Sequence, residues 1–362
     1  MPTATIGLDC RLSGLQHGGI GRYQNEVFSR ILSGRDYDYV VYVAAESQKR
    51  TLSSLVKDEG HIQWRTVPIR HYSIEEQLRW PRVLQKDSLD LLHVPHFNAP
   101  VRYGRKTIVT IHDLLWHEQR GASVTTLPAW VYWPKYAAYR YVAHKAIEHA
   151  TRVLVPSQVI RETVTAVVPG TDDKIDVTYE GVDASFKPKK LAREKNTLLY
   201  VGSLYPHKNV SLLLQAVDRL RDWKIKIISS RSVFAADVEK LVRDLGIENR
   251  VEFVFSASED ELVRAYQTCT ALVQPSLSEG FGLTGVEALA CHTPVLASNI
   301  PIFNEIYGEF ATFFNPRSVE SISDAILHPG HIKIGGLDAF LQRYNWDETA
   351  AKTILSYKKA LA

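Results

Sequence analysis

The most restrictive feature of this sequence is a stretch in which an apolar run, a glycine-bearing turn and an apolar helix follow one another directly. Ala271–Gln274 has the composition of a buried strand, and Pro275 ends it. Residues 283–291 carry the apolar spacing of a helix packed on a sheet, and residues 295–298 start another strand. A strand, a turn, a helix and a second strand in this order predict an α/β fold with a parallel sheet.

The turn in this stretch, residues 276–282, suits a diphosphate. The first N–H groups of a helix have no partner within the helix, and the helix dipole favours anions there. Gly280 and Gly282 lack a Cβ, so a ligand can approach the backbone closely. Two carboxylates frame the turn: we expect Glu279 to accept hydrogen bonds from sugar hydroxyls, and Glu287, about one turn inside the helix, to reach a ribose hydroxyl. The alternative is a surface turn with two solvated acids, which the flanking strands and the Gly-Phe-Gly string disfavour.

The string Glu279-Gly280-Phe281-Gly282-Leu283, followed by Glu287, resembles the paired-glutamate signature of the retaining glycosyltransferases of family four, which have the GT-B fold. The resemblance implies two Rossmann-like domains that face a central cleft and hold a nucleotide-sugar donor. It also implies a C-terminal helix that returns to the first domain. By the same resemblance, the turn and the start of its helix bind the donor, through Gly280, Phe281, Gly282, Leu283, Thr284 and Glu287.

Two further pieces of the first half match the family in the expected order. Gly18 and Gly19 follow a first strand, residues 5–9, and we expect a tight turn there before a helix from Gln24 to Leu32. The resemblance implies that this glycine loop faces the donor phosphates. A later strand, residues 106–111, delivers His112 at its C-terminal end, which is the ligand-bearing edge of a parallel sheet. The resemblance implies that His112 contacts the transferred sugar; a structural histidine is the alternative.

The second half repeats the pattern of a strand, a glycine, a basic turn and a helix start, which again predicts an anion site. Residues 196–201 form the strand, and Lys208 precedes a helix from Val210 to Leu220. Many members of the family carry arginine directly after the glycine, where this chain has Ser203. A hydroxyl does not replace a bidentate guanidinium, so we expect Lys208 to meet most of the diphosphate charge. The resemblance places Phe255 near the nucleotide base.

Length and composition fit two soluble domains. A chain of 362 residues exceeds most single domains, and the resemblance puts the crossover at Gly181-Val182-Asp183. We therefore predict an acceptor domain over residues 1–182, joined by residues from about 346 to 362, and a donor domain over residues 183–345. Three scattered cysteines favour a reducing compartment. The chain opens into a strand and has no apolar run of about 20 residues, so we expect a cytoplasmic protein.

No metal or other cofactor is predicted. Asp36-Tyr37-Asp38 has the spacing of the metal motif of the other large glycosyltransferase fold, but it lies between a helix end and a strand start, where aspartate makes turns. His93 and His96 share a spacing that suits a metal, yet nothing supplies further ligands.

A basic and aromatic region has two interpretations. Residues 101–145 include seven basic and two acidic side chains, and a helical region over residues 127–149 carries six tryptophans and tyrosines. Pro134 should kink that region or divide it into two helices. Ordinary solvated surface over aromatic core is one interpretation. The other is an acceptor groove or a peripheral contact with the inner face of a membrane.

The predicted reaction moves a hexose from a nucleotide sugar to a hydroxyl of a saccharide or lipid-linked acceptor, with retention of configuration. Lys208 and backbone N–H groups stabilise the leaving diphosphate, while Glu279 and His112 position the sugar. Double displacement needs a carboxylate on the opposite sugar face, and no candidate stands out, so we favour front-face attack. UDP-glucose is the favoured donor and GDP-mannose the second, in a polysaccharide or glycoconjugate pathway; nucleic acid is not an expected partner. A sugar-nucleotide epimerase on the same fold and a non-catalytic nucleotide-sugar-binding subunit remain as alternatives, and the oligomeric state stays open.

Overall fold

The chain divides into two compact units. The structure, a computed structural model, describes residues 4–14, 18–118, 120–121, 125, 127–230, 233–330 and 334–362. Unit 1 comprises the described residues up to Leu114, together with Trp130–Gly181 and Trp346–Ala362. Unit 2 comprises the described residues of Leu115–Ala129 and Val182–Asn345.

Each unit is built on one parallel sheet. The strands within the described residues are β1 (Thr5–Asp9), β2 (Asp38–Val43), β3 (Ile62–Thr66), β4 (Leu91–Val94), β5 (Thr107–Thr110), β6 (Arg152–Val155), β7 (Ile175–Val177), β8 (Thr197–Val201), β9 (Lys224–Ser229), β10 (Val251–Phe255), β11 (Ala271–Gln274), β12 (Val295–Ser298) and β13 (Ala311–Phe314). Their order is β3-β2-β1-β4-β5-β6-β7 in unit 1 and β10-β9-β8-β11-β12-β13 in unit 2. The strand order of unit 2 and that of the first six strands of unit 1 is the order of a Rossmann fold, so the predicted pair of Rossmann-like domains is confirmed.

Helices connect these strands. Those within the described residues are α1 (Gly18–Ser33), α2 (Glu46–Ser53), α3 (Ile74–Leu84), α4 (Leu115–Glu118), α5 (Ala129–His149), α6 (Gln158–Val167), α7 (Val210–Arg219), α8 (Ala235–Leu245), α9 (Glu259–Thr268), α10 (Leu283–Ala290), α11 (Pro301–Tyr307), α12 (Val319–Leu327), α13 (Leu337–Leu341) and α14 (Trp346–Leu361). Ser157 caps α6, because its side chain accepts a hydrogen bond from the backbone N–H of Ile160.

Strand order reverses at one point in each sheet. In unit 1 the chain moves outwards from β1 to β2 and β3, and then returns to place β4 on the other side of β1. In unit 2 the same reversal puts β11 beside β8. Loops that leave the carboxyl ends of the two strands at such a reversal diverge to opposite faces of the sheet, and the crevice between them is the usual ligand site of open α/β sheets. The two crevices follow β1 and β4 in unit 1, and β8 and β11 in unit 2.

The C-terminal helix α14 packs within unit 1, as predicted. The Nε of Arg30 on α1 donates to Asp347 Oδ1 at 2.6 Å, and the hydroxyl of Thr349 donates to the carbonyl oxygen of Tyr179 at 2.6 Å. Deeper in the core, the Tyr357 hydroxyl lies 2.7 Å from Nδ1 of His93. Nε2 of that histidine bonds to the Thr110 hydroxyl at 2.8 Å. Burial lowers the pKa of His93 to about 3, so this ring is a neutral structural link between α14 and the sheet.

One local prediction was wrong, and one of the two outcomes expected at Pro134 did not occur. Gly18 and Gly19 are not in a turn before the first helix: they are the first residues of α1, and both are exposed. Pro134 does not divide the aromatic helix, because α5 runs without interruption from Ala129 to His149. A proline near a helix start removes only one backbone hydrogen bond, and the burial of Tyr132 and Tyr136 on either side holds the helix on the core.

Candidate active site

Two loops of unit 2 come together at the reversal point of its sheet. The loop after β8 contains Lys208, and the loop after β11 contains Glu279. The backbone N–H of Leu277 donates to the carbonyl oxygen of His207 at 2.8 Å. Asn209 donates from its side-chain nitrogen to the carbonyl oxygen of Pro275 at 3.0 Å. Because these bonds cross from one loop to the other, the loops form one rigid platform.

Lys208 and Glu279 form an ion pair on this platform. Nζ of Lys208 lies 2.7 Å from Oε2 of Glu279, and the side chains are 19% and 15% exposed. The hydroxyl of Ser276 donates to Oε1 of Glu279 at 2.8 Å. Burial alone would raise the pKa of Glu279, but the lysine charge and the two hydrogen bonds outweigh it and lower the pKa, so the carboxylate is ionised. Sequence reasoning assigned these two residues to different parts of the donor and missed the pair, because no local pattern joins positions 71 residues apart.

His207 adds a neutral ring beside this pair. Its burial, together with the positive charge of Lys208, lowers the pKa of His207 to about 4. The ring is therefore uncharged at neutral pH. Its Nδ1 is buried and has no hydrogen-bond partner among the described residues.

The glycines at the start of α10 are required by a tyrosine behind them. Gly282 has φ +93°, and a Cβ there would lie 2.3 Å from the hydroxyl oxygen of Tyr307. A Cβ on Gly285 would lie 2.3 Å from Cζ of the same tyrosine. The hydroxyl of Tyr307 donates to the carbonyl oxygen of Gly282 at 2.6 Å and also contacts Oε1 of Gln274. The expectation that Gly282 is glycine only to admit a ligand therefore misses this packing reason, and no signal in the sequence pointed to Tyr307.

The side chains of Phe281 and Glu287 are buried in unit 2. Phe281 is 4% exposed, and its ring lies edge-on to Tyr344 with 5.7 Å between ring centroids. Glu287 is 1% exposed, and its Oε2 accepts a hydrogen bond of 2.9 Å from the hydroxyl of Tyr266. A ligand of this turn would meet the backbone of Phe281 rather than its ring. The ribose role of Glu287 stays a prediction, and Tyr266 is the residue that orients its carboxylate.

Four other predicted donor residues of unit 2 lie in the loop that contains Glu279, at the start of α10, or in the loop that contains Lys208. Gly280, Leu283 and Thr284 are half-buried in the same loop and helix start, and the Thr284 hydroxyl accepts a 2.5 Å hydrogen bond from the side chain of Gln274. Ser203 is half-buried after β8, and its carbonyl oxygen accepts a 2.5 Å bond from the Tyr200 hydroxyl.

Phe255 is not brought to this platform by the sheet order. It ends the edge strand β10, two strands away from β8. Its ring stacks on Phe253 with 5.9 Å between centroids and 5° between planes.

The predicted residues of unit 1 are His112, Gly18 and Gly19. His112 follows β5, and its Nδ1 lies 3.3 Å from Oε1 of Glu180. The ring stands edge-on to Tyr23, with 4.6 Å between centroids, and its Nε2 is buried with no hydrogen-bond partner among the described residues. Glu180 was missed as a partner, although it lies in the Tyr-Glu-Gly-Val-Asp string that marks the crossover.

The described residues offer neither a metal-binding cluster nor a membrane-spanning helix. No three histidine, cysteine, aspartate or glutamate residues within the described ranges are grouped so that they could hold a metal ion. Within the same ranges, no helix combines the length and the apolar composition that crossing a bilayer requires.

Comparison with known proteins gives two family matches that together span most of the chain. The family described as "Glycosyltransferase Family 4" matches residues 17–186, and the family described as "Glycosyl transferases group 1" matches residues 182–328.

Among curated proteins, the O-antigen chain mannosyltransferase RfbU of Salmonella typhimurium is 30% identical over 58% of this chain, and that match spans 60% of the relative's own length, less than two thirds. The O-antigen chain mannosyltransferase B of Escherichia coli is 25% identical over 94% of this chain and 96% of its own.

Among solved structures, the sucrose-phosphate synthase of Thermosynechococcus elongatus superposes with a TM-score of 0.76. It is 16% identical, and the superposition covers 98% of each chain. At this identity the likeness shows the fold alone, and it confirms the predicted GT-B fold.

Proposed function

Because the chain belongs to the group 1 glycosyltransferases of family 4, we propose that it transfers a hexose from a nucleotide sugar to a hydroxyl group of a saccharide or glycoconjugate acceptor. The observation that carries the proposal is the Lys208–Glu279 pair, held at the reversal point of the unit 2 sheet beside the start of α10. This position combines a cation, a carboxylate and the N-terminus of a helix at the usual ligand edge of the sheet.

The ion pair suits a diphosphate that carries a sugar. When the donor binds, its diphosphate becomes a second anionic partner for Lys208, and the lysine and the N–H groups at the start of α10 stabilise the charge that develops on the leaving group. Glu279 remains fixed by Ser276, so its carboxylate is oriented to accept hydrogen bonds from sugar hydroxyls. Lys208 is held in position before the donor binds, so its positive charge is available when the diphosphate leaves.

His112 is proposed to position the transferred sugar. Glu180 lies at hydrogen-bond distance from its Nδ1, so a proton on that nitrogen leaves the buried Nε2 as the atom that a ligand hydroxyl can reach. Retention with front-face attack remains our preferred stereochemical course, with Gly18 and Gly19 at the start of α1 as additional donor contacts.

The relatives' names bear on the sugar. Two of the curated relatives are named mannosyltransferases of the O-antigen chain, which favours mannose over the glucose expected from sequence and suggests a polysaccharide acceptor. GDP-mannose and UDP-glucose are therefore the two donors to compare first. A ligand that binds only the folded protein raises its melting temperature, so thermal-shift measurements with GDP-mannose, UDP-glucose and ADP-glucose identify the donor. No shift with any nucleotide sugar at millimolar concentration would contradict the proposal.

The rival functions are separated by following the sugar. Purified protein with the donor alone should release nucleoside diphosphate slowly by hydrolysis, and an added saccharide acceptor should accelerate that release. An epimerase would instead convert one nucleotide sugar into another without an acceptor. A non-catalytic subunit would bind the donor and do neither, so the products decide among the three.

A peripheral membrane contact is proposed for the exposed face of α5. Trp130, Trp133 and Tyr141 are 80%, 52% and 59% exposed, and their spacing of three and eight residues places them on one side of the helix. Lys135 and Arg140 are exposed on the same helix. Exposed tryptophans with neighbouring cations suit an anionic lipid surface, because the rings enter the headgroup layer while the cations meet lipid phosphates.

Sedimentation with vesicles tests this contact. The protein should pellet with vesicles that contain phosphatidylglycerol and stay in solution with phosphatidylcholine vesicles. The double variant Trp130→Ala, Trp133→Ala should lose most of the bound fraction, whereas Leu355→Ala, at an exposed apolar position on α14, should not. Equal pelleting of the double variant, or no pelleting of the unaltered protein, would exclude the contact.

A further inference from the structure

A second crevice of the fold contains buried polar groups that the proposed donor site does not use. It lies in unit 1, at the reversal point between β1 and β4. Asp9 ends β1, and His96 and Asn98 follow β4. Gln24 of α1 and His71, in the loop before α3, complete the polar wall of a small cavity. The position is the one that parallel α/β sheets use for ligands.

Two residues that line this cavity each have an acceptor atom without a partner among the described residues. Gln24 is 1% exposed, and its Oε1 is buried without a hydrogen-bond partner among the described residues. His71 has its Nδ1 3.1 Å from Oε1 of Glu76, so that nitrogen carries the proton and Nε2 is left as an acceptor. Nε2 is also buried and without a partner in the described part of the chain. An unsatisfied buried acceptor destabilises the folded protein, so both atoms call for a hydrogen-bond donor.

The other polar side chains of the wall already have hydrogen-bond partners, and each is neutral or negatively charged. His96 accepts a hydrogen bond at Nδ1 from the backbone N–H of Asn98 at 3.3 Å, so its proton is on Nε2, 3.1 Å from the Tyr72 hydroxyl. Burial lowers the pKa of His96 to about 3, which keeps the ring uncharged.

Behind the wall, Arg11 bonds to Asp9 at 2.8 and 2.7 Å and to Glu76 at 2.8 Å. Two carboxylates thus share one guanidinium, and this polarity disfavours a phosphate and favours hydroxyl groups.

The size of the cavity limits what enters it. Its volume is about 200 Å³ when the open mouth is included, and its enclosed part has room for about one water molecule. This is room for a single hydroxyl-sized group and not for a sugar ring. A larger ligand would therefore insert one oxygen and lie across the mouth.

We propose that the cavity between Gln24 and His71 receives one hydroxyl group of the acceptor saccharide, whose ring lies across the mouth. The inferred hydroxyl donates its proton to Gln24 Oε1, so the cavity selects acceptors that carry a hydroxyl at one particular ring position. This inference rests on the proposed glycosyl transfer for the identity of its ligand. It differs from the donor site in both unit and chemistry, since the donor diphosphate is assigned to Lys208 of unit 2.

Binding of an alkyl mannoside without a donor tests the proposal. Octyl α-D-mannopyranoside and its 2-, 3-, 4- and 6-deoxy analogues are titrated into the full chain by calorimetry, and GDP-mannose is titrated separately. In the wild-type protein one deoxy analogue should bind roughly tenfold more weakly than the parent, which is the loss of one hydrogen bond to a buried acceptor. The other three analogues should bind with nearly the parent affinity.

Gln24→Met identifies the residue that reads this hydroxyl. Methionine keeps the length of the side chain and removes the acceptor oxygen. The parent mannoside should bind roughly tenfold more weakly to this variant, and the sensitive deoxy analogue should bind to variant and wild type alike, which is the coupling expected of a direct contact. Gln63→Met, the same change at an exposed position on β3, should behave as wild type. GDP-mannose affinity should be unchanged in both variants.

Several results would overturn the inference. One is an absence of mannoside binding to wild type, and another is equal sensitivity to all four deoxygenations. A third is unchanged mannoside affinity in Gln24→Met, which would mean that the cavity holds an ordered water only. Loss of GDP-mannose affinity in Gln24→Met, with mannoside binding retained, would move the site to the donor and also contradict it. If Gln24→Met does not fold, the deoxy series on the wild-type protein still decides. A failure of every nucleotide sugar to bind would instead refute the proposed function.

Discussion

Replacing Glu279 by glutamine tests the proposal that Glu279 contacts the sugar of the donor while Lys208 contacts its diphosphate. Glu279→Gln keeps the shape of the side chain and removes the charge that pairs with Lys208 at 2.7 Å. Breaking a fully buried pair costs about 3–5 kcal/mol, and a surface pair contributes about 0–1 kcal/mol. With both side chains 15–19% exposed, we expect the free energy of unfolding to fall by about 2 kcal/mol.

Ligands should reveal what the carboxylate does. In Glu279→Gln the lysine is no longer shared with a carboxylate, so the nucleoside diphosphate without its sugar should bind at least as tightly as to wild type. The nucleotide sugar should lose the contact between its hydroxyls and the carboxylate. The loss of transition-state stabilisation should be about 2–4 kcal/mol, so turnover should fall by roughly thirtyfold to a thousandfold.

Urea unfolding with and without nucleoside diphosphate, together with the steady-state release of that diphosphate from the donor, measures these effects. The matched control is Glu320→Gln, which breaks an ion pair with Arg219 in unit 2 whose side chains are 68% and 53% exposed. It should leave the free energy of unfolding and the turnover close to their wild-type values, because an exposed ion pair contributes little to stability. Near-normal turnover of Glu279→Gln, or an equal loss of affinity for the diphosphate and the nucleotide sugar, would refute the reasoning.

Three further predictions concern the packing and titration of the same unit. Gly285→Ala should lower the free energy of unfolding by about 1–3 kcal/mol, because its Cβ would meet Cζ of Tyr307 at 2.3 Å and Oε1 of Gln274 at 2.5 Å. Gly335→Ala, whose Cβ meets no described atom within 4 Å, should not, and equal melting temperatures of the two variants would contradict this. Tyr307→Phe removes the 2.6 Å hydrogen bond to the carbonyl at the start of α10 and should cost about 1–2 kcal/mol in urea unfolding, so an unchanged midpoint would argue against the bond. The pKa of His207 is lowered from 6.5 to about 4, so the neutral ring stabilises the fold above pH 6.5, and this contribution is lost as pH falls towards 4. His207→Asn should therefore reduce the slope of the free energy of unfolding against pH between 4 and 6.5 by up to about 1.4 kcal/mol per pH unit. An unchanged slope would show that His207 is not its origin.

The central strands and the turns that follow them could be predicted from the sequence. β1, β11 and β12 were predicted with their observed bounds, because strands buried on both faces carry uninterrupted apolar runs. β3 and β7 were missed. β3 is an edge strand with the polar sequence Ile-Gln-Trp-Arg-Thr, and β7 has only three residues, so neither shows a periodic signal.

The contacts that fix the candidate site could not be predicted in the same way. Lys208 and Glu279 were each identified from their local turns, but their pairing depends on β8 and β11 being neighbours in the sheet. Tyr307, behind the glycines of α10, comes from another helix, and no local pattern connects it to them. Such contacts follow from strand order and packing, which a local pattern does not contain.

The central claim is that the platform formed by the loops of Lys208 and Glu279 binds the diphosphate of a nucleotide sugar. A crystal structure of the protein with the nucleotide sugar that raises its melting temperature most tests this directly. The account predicts a diphosphate oxygen within about 3 Å of Nζ of Lys208 and a sugar hydroxyl at similar distance from the carboxylate of Glu279. A nucleotide sugar that binds elsewhere and contacts neither Lys208 nor Glu279 would contradict the account.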